Sequence, residues 1–188
     1  MIAFKTTTLL FFFTTFFSSV IGQDPECVGV ECGFGVMANA AYAFIAEVNA
    51  EYGIVVVNNC SNSIYLKCAS GDDAITGDGS DDDDWWTLEN GMALAWGFHS
   101  GFNTCFWCYA NNNGQEARDS GNWYIHQNVW GSPASGCSGA PDTASQGNHN
   151  GVTSWQIRDD GAYSNGCAAC GEDDDFELYT EWGPDPNA

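Results

Sequence analysis

Short runs of β-branched and aromatic residues fill the chain from residue 54 onward, separated by Gly, Asn, Asp and Ser. Such runs, bounded by turn residues, are typical of β-strands. Eight runs fit this description: Ile54–Asn58, Ile64–Cys68, Trp85–Leu88, Ala93–Phe98, Thr104–Tyr109, Trp123–Val129, Thr153–Arg158 and Phe176–Trp182. Many short strands with turns at close intervals favour a sandwich or a barrel. We therefore predict a mainly β fold, a small antiparallel β-sandwich of about eight strands.

Polar stretches between these runs predict the connections. The stretch NCSNS after Asn58 reads as a turn, and Asn90-Gly91 in TLENGMAL is a strong hairpin signal between the third and fourth runs. Asn, Gly, Ser and Pro dominate residues 110–121 and 131–151, so both are expected to be long surface loops. No internal repeat is visible.

Helical spacing occurs only before the strands. Apolar residues recur at Val36, Ala40, Phe44, Val48 and Tyr52, which predicts a short N-terminal helix over about Met37 to Glu51.

The first 22 residues read as a signal peptide. Lys5 precedes an apolar run, and the small residues Val20 and Gly22 predict cleavage before Gln23. The apolar core is about a dozen residues, short of the ~20 that a membrane-spanning helix needs. The expected organisation is a signal peptide over 1–22, an extension with a helix over 23–53, and a β-sandwich domain with an acidic loop and an acidic tail over 54–188. The protein is expected to be secreted and extracellular.

The net charge of the chain restricts the kinds of partner that it can bind. The chain has 25 acidic and 4 basic residues; without Lys5 the mature chain keeps 25 acidic and 3 basic residues, a charge of −22. Such a surface repels phosphate backbones and anionic lipids, which argues against nucleic-acid and membrane-surface binding. Cationic surfaces, neutral glycans or metal ions remain, and the expected partner is an extracellular protein receptor or a glycan.

Nine cysteines follow the predicted cleavage site, and in an oxidising compartment they indicate disulfides. The candidates are Cys27, Cys32, Cys60, Cys68, Cys105, Cys108, Cys137, Cys167 and Cys170. Their spacing leaves the connectivity open. An odd number implies a free thiol or an intermolecular bridge, hence a disulfide-linked dimer as one expectation.

Two Cys-x-x-Cys pairs, Cys105 with Cys108 and Cys167 with Cys170, raise the possibility of zinc or redox chemistry. If residues 104–109 form a strand, Cys105 and Cys108 point to opposite faces and cannot bind one ion. The second pair is compatible with a tight local disulfide or with two separate bridges. We expect no metal site and no cofactor.

The acidic run at 77–84 has the alternation of an EF-hand loop, with Glu89 at the bidentate position. Asp83 stands where that loop requires Gly, so we interpret the run as a solvated acidic loop, with weak calcium binding as the alternative. The run at 172–175 is interpreted in the same way.

No catalytic motif is present. His99, His126 and His149 are isolated, and the carboxylates lie in solvated runs, whereas a raised pKa would require apolar surroundings. The expectation is a protein that is not an enzyme. The hydrolase alternative would require two carboxylates converging in a cleft.

Aromatic residues suggest a binding role instead. Trp96 and Phe98 should share one face of a strand, whereas Trp107 and Tyr109 should lie opposite Phe106 and Cys108. Most aromatics are expected in the core, and those left outside could stack against sugar rings.

A glycosylation sequon, Asn59-Cys60-Ser61, lies in the predicted turn after the first run. Asn59 is therefore the predicted glycosylation site.

Four segments in order resemble the plant self-incompatibility protein family, the stigmatic S-proteins and their homologues. They are VVNNCSNSIYLKCASGDD from Val55, WGF from Trp96, FNTCFWC from Phe102, and WQIRDDGAY from Trp155, which together span Ile54 to Tyr163. The positions similar to the family pattern are Asn58, Asn59, Cys68, Ser70, Asp72, Asp73, Trp96, Phe98, Thr104, Phe106, Cys108, Trp155, Ile157, Asp160, Gly161 and Tyr163.

The resemblance implies a small disulfide-bonded β-sandwich, secretion and no enzymatic activity. Family members in poppy-like systems are ligands of a pollen-surface receptor, a role that should not be carried over. Ser154 stands where the family usually has a cysteine, so the partner of Cys68 is open, with Cys137 and Cys60 as candidates. The extension before Ile54, the acidic insertion after Asp73, the loop after Ala110 and the acidic tail also depart from the family.

We therefore expect a secreted, non-enzymatic signalling or interaction protein resembling the S-protein homologues. It would act through surface loops, 70–84 and 110–121 especially. The alternative is a secreted glycan-binding module that uses exposed aromatics.

Overall fold

The computed structural model of the protein describes residues 7–11, 50–71, 74–99, 103–132, 135–141, 152–165 and 176–186. These contain ten strands: β1 (Thr7–Phe11), β2 (Tyr52–Asn58), β3 (Ile64–Ser70), β4 (Trp86–Leu88), β5 (Ala93–Phe98), β6 (Cys105–Asn112), β7 (Tyr124–Gly131), β8 (Val152–Arg158), β9 (Gly161–Ser164) and β10 (Glu177–Glu181). One short helix, α1 (Gln115–Ser120), lies between β6 and β7.

The strands form two sheets. The larger has the order β1-β5-β2-β8-β9-β10 and the smaller has the order β4-β3-β6-β7. All neighbours are antiparallel except β2 and β8, which run parallel from Gly53↔Val152 to Asn58↔Ile157. The predicted disulfide-stabilised, mainly β fold is confirmed, with this parallel pair as a departure from a fully antiparallel sandwich.

All eight predicted strands are present, with ends that shift by a few residues. Two strands were missed. β9, only four residues long, pairs with β8 across the Asp159-Asp160 turn, directly before which β8 ends and after which Gly161 follows. β1 lies inside the segment predicted to be a signal peptide.

The prediction of a long loop over 110–121 is wrong in detail. β6 continues to Asn112, and α1 occupies Gln115–Ser120 and ends at Gly121, whose positive φ of 77° suits glycine. No residue of α1 is buried. The helix therefore has no apolar periodicity for a sequence pattern to show.

The hairpin predicted at Asn90-Gly91 is also wrong. The turn itself exists, since Met92 N donates to Glu89 O at 2.9 Å and Gly91 has φ 78°. However, β4 belongs to the smaller sheet and β5 to the larger, so the turn carries the chain from one sheet to the other.

Asn58 fixes this corner of the sandwich. Its side-chain amide donates to Asn62 O at 3.0 Å and to Leu88 O at 2.8 Å, while its oxygen accepts from Cys60 N at 2.8 Å. One buried side chain thus holds the predicted turn after β2 against the end of β4.

The core lies between the sheets and is rich in tryptophan. Trp86, Trp96, Trp130 and Trp155 are at most 2% exposed. The rings of Phe98 and Trp130 meet edge-on at 4.9 Å, a favoured aromatic geometry. The prediction that most aromatics are core residues holds for these four tryptophans and for Phe98 and Phe106.

Two disulfides tie the smaller sheet. Cys68 on β3 bonds Cys108, its direct register partner on β6, and Cys105 at the start of β6 bonds Cys137 in the loop after β7. The partner of Cys68 is therefore neither Cys137 nor Cys60. Cys105 and Cys108 take different partners, as their opposite faces require.

Cys60 is a free thiol, contrary to its place among the disulfide candidates. It is fully buried, and its Sγ lies 3.4 Å from Ile157 O. Burial, with smaller contributions from Asp159 and Asp160, raises the pKa of this thiol to about 12. An intermolecular bridge through Cys60 would require the sandwich to open.

Several predictions lie outside the described residues. These are most of the N-terminal helix, Cys27, Cys32, Cys167, Cys170, His149 and the acidic run at 172–175. Ala50 and Glu51, at the end of the predicted helix, are not helical. Among the described residues, no helix has the length and apolar character needed to cross a bilayer.

The two disulfides should differ in their resistance to reduction. Cys68 and Cys108 are at most 4% exposed, whereas Cys105 and Cys137 are partly exposed. Because a thiolate must reach the sulfur that it attacks, mild reductant should open Cys105–Cys137 first. Stepwise reduction with differential alkylation and mass spectrometry measures the order; simultaneous opening, or Cys68–Cys108 first, would contradict the burial.

Native Cys60 should resist alkylation by iodoacetamide at pH 8. The thiolate is the nucleophile, and a pKa near 12 leaves almost none of it. Because the pKa in the folded protein exceeds the thiol's ordinary value of 9.0, this thiol's contribution to stability is complete below pH 9 and is lost as pH rises towards 12. Labelling in denaturant is the control, and rapid labelling of the native protein would show that Cys60 is accessible.

Candidate functional site

The outer face of the smaller sheet carries a group of aromatic side chains. Along β6 every second residue, Phe106, Cys108 and Ala110, is buried in the core, so Trp107 and Tyr109 point outward and are half-buried. This alternation is the one predicted from the sequence. The two residues therefore form the centre of an exposed patch.

Neighbouring strands extend this patch. In the register of β3, β6 and β7, three rows of residues cross the sheet with the β6 residue in the middle: Tyr65–Asn111–Tyr124, Lys67–Tyr109–His126 and Ala69–Trp107–Asn128. We call the five aromatic side chains of this grid, Tyr65, Trp107, Tyr109, Tyr124 and His126, the aromatic face. With strands about 5 Å apart and alternate residues about 7 Å apart, the grid measures roughly 10 by 14 Å.

Ring contacts hold part of the aromatic face in place. The rings of Tyr109 and His126 stack at 4.6 Å with an angle of 24°, and the rings of Tyr109 and Tyr124 lie 6.1 Å apart at 31°. Tyr65 is 40% exposed, one of two large hydrophobic side chains so exposed among the described residues. The arrangement leaves ring surface available to a flat ligand.

Polar groups accompany the rings. Asn111 lies between Tyr65 and Tyr124 in the register, and its side-chain oxygen is buried without a hydrogen-bond partner among the described residues. Burial, and then the neighbouring Tyr109 and Asp185, raises the pKa of the Tyr124 phenol above its ordinary value of 10.0. The phenol is therefore neutral at physiological pH and can both donate and accept a hydrogen bond.

Lys67 connects the aromatic face to the acidic loop, residues 74–85. Its ammonium donates to Asp83 O at 2.7 Å and lies 3.6 Å from an Asp84 carboxylate oxygen. Within the loop, one carboxylate oxygen of Asp81 accepts from Asp83 N and Trp85 N. The loop is thus an ordered structure beside the face, with the carboxylates of Asp78 and Asp82 exposed.

The hydrogen bonds and the ion pair of the acidic loop argue against the alternative that it binds calcium. Asp81 and Asp84 direct their carboxylates to the loop backbone and to Lys67, not to a common centre. In the part of the chain that the structure describes, no three or more His, Cys, Asp and Glu side chains cluster as metal ligands do.

A second concave site lies at the β8–β9 end of the sandwich. This cleft has a volume of about 550 Å³ and is open to solvent. Its wall includes four carboxylates and two large apolar side chains: Glu116, Asp159, Asp160, Glu181, Leu178 and Trp182.

Two of these carboxylates accept hydrogen bonds from neighbouring residues. Asp159 accepts from Ser61 N and Ser61 Oγ, both at 2.9 Å, and Asp160 accepts from the Tyr163 hydroxyl at 2.6 Å. The hydrolase alternative requires two carboxylates that converge in a cleft. Among the described residues, carboxylates line a common cleft here. None of the described residues that line this cleft is a histidine.

The remaining predicted site residues are dispersed. His99 is exposed just after β5 of the larger sheet, whereas the stacked His126 lies on β7 of the smaller sheet. Asn59 is half-buried, and its side-chain amide donates to Gln156 Oε1 at 2.9 Å. A glycosylated amide keeps one N–H, so this hydrogen bond is compatible with a glycan, and glycosylation stays a prediction.

Sequence reasoning found Trp107 and Tyr109 but missed Tyr65, Tyr124 and His126. They join the face only through the pairing of β3 and β7 with β6. The alternation within each strand indicates which residues point outward. It does not indicate which strands are neighbours in the sheet.

The fold and these surfaces define a disulfide-bonded β-sandwich with an exposed aromatic sheet face. No family model, no curated protein and no solved structure matched the chain.

Proposed function

We propose that this is a secreted, non-enzymatic binding protein that recognises a neutral glycan on its aromatic face. The observation that carries the proposal is that half-buried Trp107 and Tyr109 point outward on the sheet face that also presents exposed Tyr65 and the stacked His126. The apolar faces of sugar rings stack on such side chains, while their hydroxyls need nearby polar groups. The neutral phenol of Tyr124 supplies such a group.

Rigidity supports this assignment. The face is built on paired strands, and Cys68–Cys108 joins two of them directly beneath it. A site on a rigid sheet loses little conformational entropy on binding. The leader-like N-terminus and the two disulfides support secretion, since such bridges persist in oxidising compartments.

Charge favours a neutral ligand over an anionic one. A mature charge of −22 repels nucleotides, phosphorylated groups and acidic sugars. A neutral oligosaccharide pays no such penalty, because its binding depends on stacking and hydrogen bonds.

The resemblance to the S-protein family bears on fold more than on ligand. Most of the matching aromatic and aliphatic positions, Trp96, Phe98, Phe106, Trp155 and Ile157, are core residues. They support a shared type of sandwich. We extend to this chain only the secreted, non-enzymatic character that the resemblance implies.

Substitution of Trp107 or Tyr109 by Ala should weaken glycan binding by about tenfold or more, which corresponds to about 1.4 kcal/mol. Both side chains would lose their stacking surface without opening the core. Neutral gluco-, manno-, xylo- and galacto-oligosaccharides on an array identify the ligand, and calorimetry with the best one measures the loss.

Leu178→Ala is the control, because Leu178 is a large apolar side chain, 45% exposed, that lies on the larger sheet and not on the aromatic face. It should bind as the native protein does. If no neutral glycan binds, or if Leu178→Ala loses as much affinity as the face variants, the proposal is wrong.

The fixed conformation of the acidic loop favours a second candidate function. The ion pair of Lys67 with Asp84 and the turn around Asp81 hold the loop in one conformation, with exposed carboxylates. Such a loop suits the recognition of a cationic extracellular protein. This is the loop-based interaction that the sequence predicts.

For this second function, Asp78→Asn with Asp82→Asn should weaken capture of the partner from extracellular extracts, and salt should weaken capture by the native protein. Glu51→Gln with Glu177→Gln is the control, since it removes the same number of charges at exposed positions outside both predicted loops. Capture that is insensitive to both the loop variant and salt would exclude the loop as the binding surface.

A further inference from the structure

The two sheets have four edges, and three of them are protected. Edge strands present unpaired backbone groups, which proteins cover, shorten, charge or distort with bulges. β4 has only three residues, and β10 has a glutamate at each end and a register shift between Leu178 and Thr180. The outer edge of β7 is bridged by Gly183, which exchanges two backbone hydrogen bonds of 2.9 Å with Tyr124.

The fourth edge strand is β1, and the strand that it covers, β5, has none of these protections. Its six residues, Ala93–Phe98, include no charged residue and no proline, and they pair with β2 without a bulge. All six are buried. What covers this edge in the full chain is β1, which pairs antiparallel with it from Thr7↔Gly97 to Phe11↔Ala93.

β1 lies entirely within residues 1–22, the predicted signal peptide. If the leader is cleaved before Gln23, the mature chain loses the strand that occupies the β5 edge. This step depends on the secretion proposed above. The result is a regular, uncharged strand with free backbone donors and acceptors.

We infer that the mature protein closes this edge by pairing β5 with β5 of a second copy, antiparallel, across a two-fold axis. β5 offers what β1 supplies: an uncharged, extended segment of matching length that can run antiparallel. One symmetric contact satisfies both exposed edges at once and closes the assembly at a dimer. The two larger sheets become one continuous sheet.

Charge gives the dimer a distinct salt dependence. Each mature chain has a charge of −22, but β5 and its neighbour β2 contain no charged residue. The chains therefore repel through distant carboxylates, and salt screens that repulsion. Added salt should strengthen the dimer, the opposite of its effect on a cationic partner bound at the acidic loop.

The test uses protein purified from the medium of cells that express the full chain, with N-terminal sequencing to establish where the leader was removed. Light scattering over a range of concentrations should show twice the monomer mass, with more dimer as salt rises. Hydrogen exchange should protect the amides of β5 at high concentration and release some of them on dilution.

A competitor peptide identifies the edge without mutating buried residues. A peptide of the β1 sequence, solubilised by terminal lysines, should convert dimer to monomer. The same peptide with proline in place of Leu9 is the control, since it has the same charge but cannot complete the pairing.

A monomer at all concentrations, or a dimer that resists the β1 peptide, would overturn the inference. Failure of secretion is a separate result: the protein would then be absent from the medium or would keep its N-terminus. A processed, secreted monomer would leave the proposed glycan binding standing and reject only the dimer.

Discussion

The alternation of β6 is the constraint on which the rest of the structure depends. Phe106, Cys108 and Ala110 point into the sandwich, and the bond from Cys108 to Cys68 joins β6 to β3 inside the core. A slip of one residue would exchange the two faces of the strand. The same geometry that buries these residues therefore places Trp107 and Tyr109 outside, where a ligand can reach them.

Much of the fold could be predicted because strand formation is a local property. Runs such as Ile54–Asn58 and Ala93–Phe98 carry β-branched and aromatic residues between turn residues, and both are strands. The assignment of strands to sheets could not be predicted. Asn90-Gly91 makes the expected turn, but the chain crosses between sheets there because Asn58 binds the end of β4.

The candidate site was only half predictable for the same reason. The opposite orientation of Phe106 and Trp107 follows from the two-residue period of one strand. The neighbours of Trp107 and Tyr109 depend on pairing between residues far apart in the chain, such as Tyr109 with His126. Periodicity gives the face of each residue but not its neighbours across the sheet, and α1, which buries nothing, leaves no periodic trace.

The two faces of β6 also differ in how they relate to the sequence pattern of the S-protein family. The positions shared with the S-protein pattern include Phe106 and Cys108 but not Trp107 or Tyr109, although the four alternate along one strand. Core positions must satisfy packing, so they persist where the sandwich persists. Outer positions are free to change with the ligand, because their substitution leaves the core intact. Trp107 and Tyr109 lie outside the pattern, so the expected resemblance makes no prediction about the ligand proposed for them.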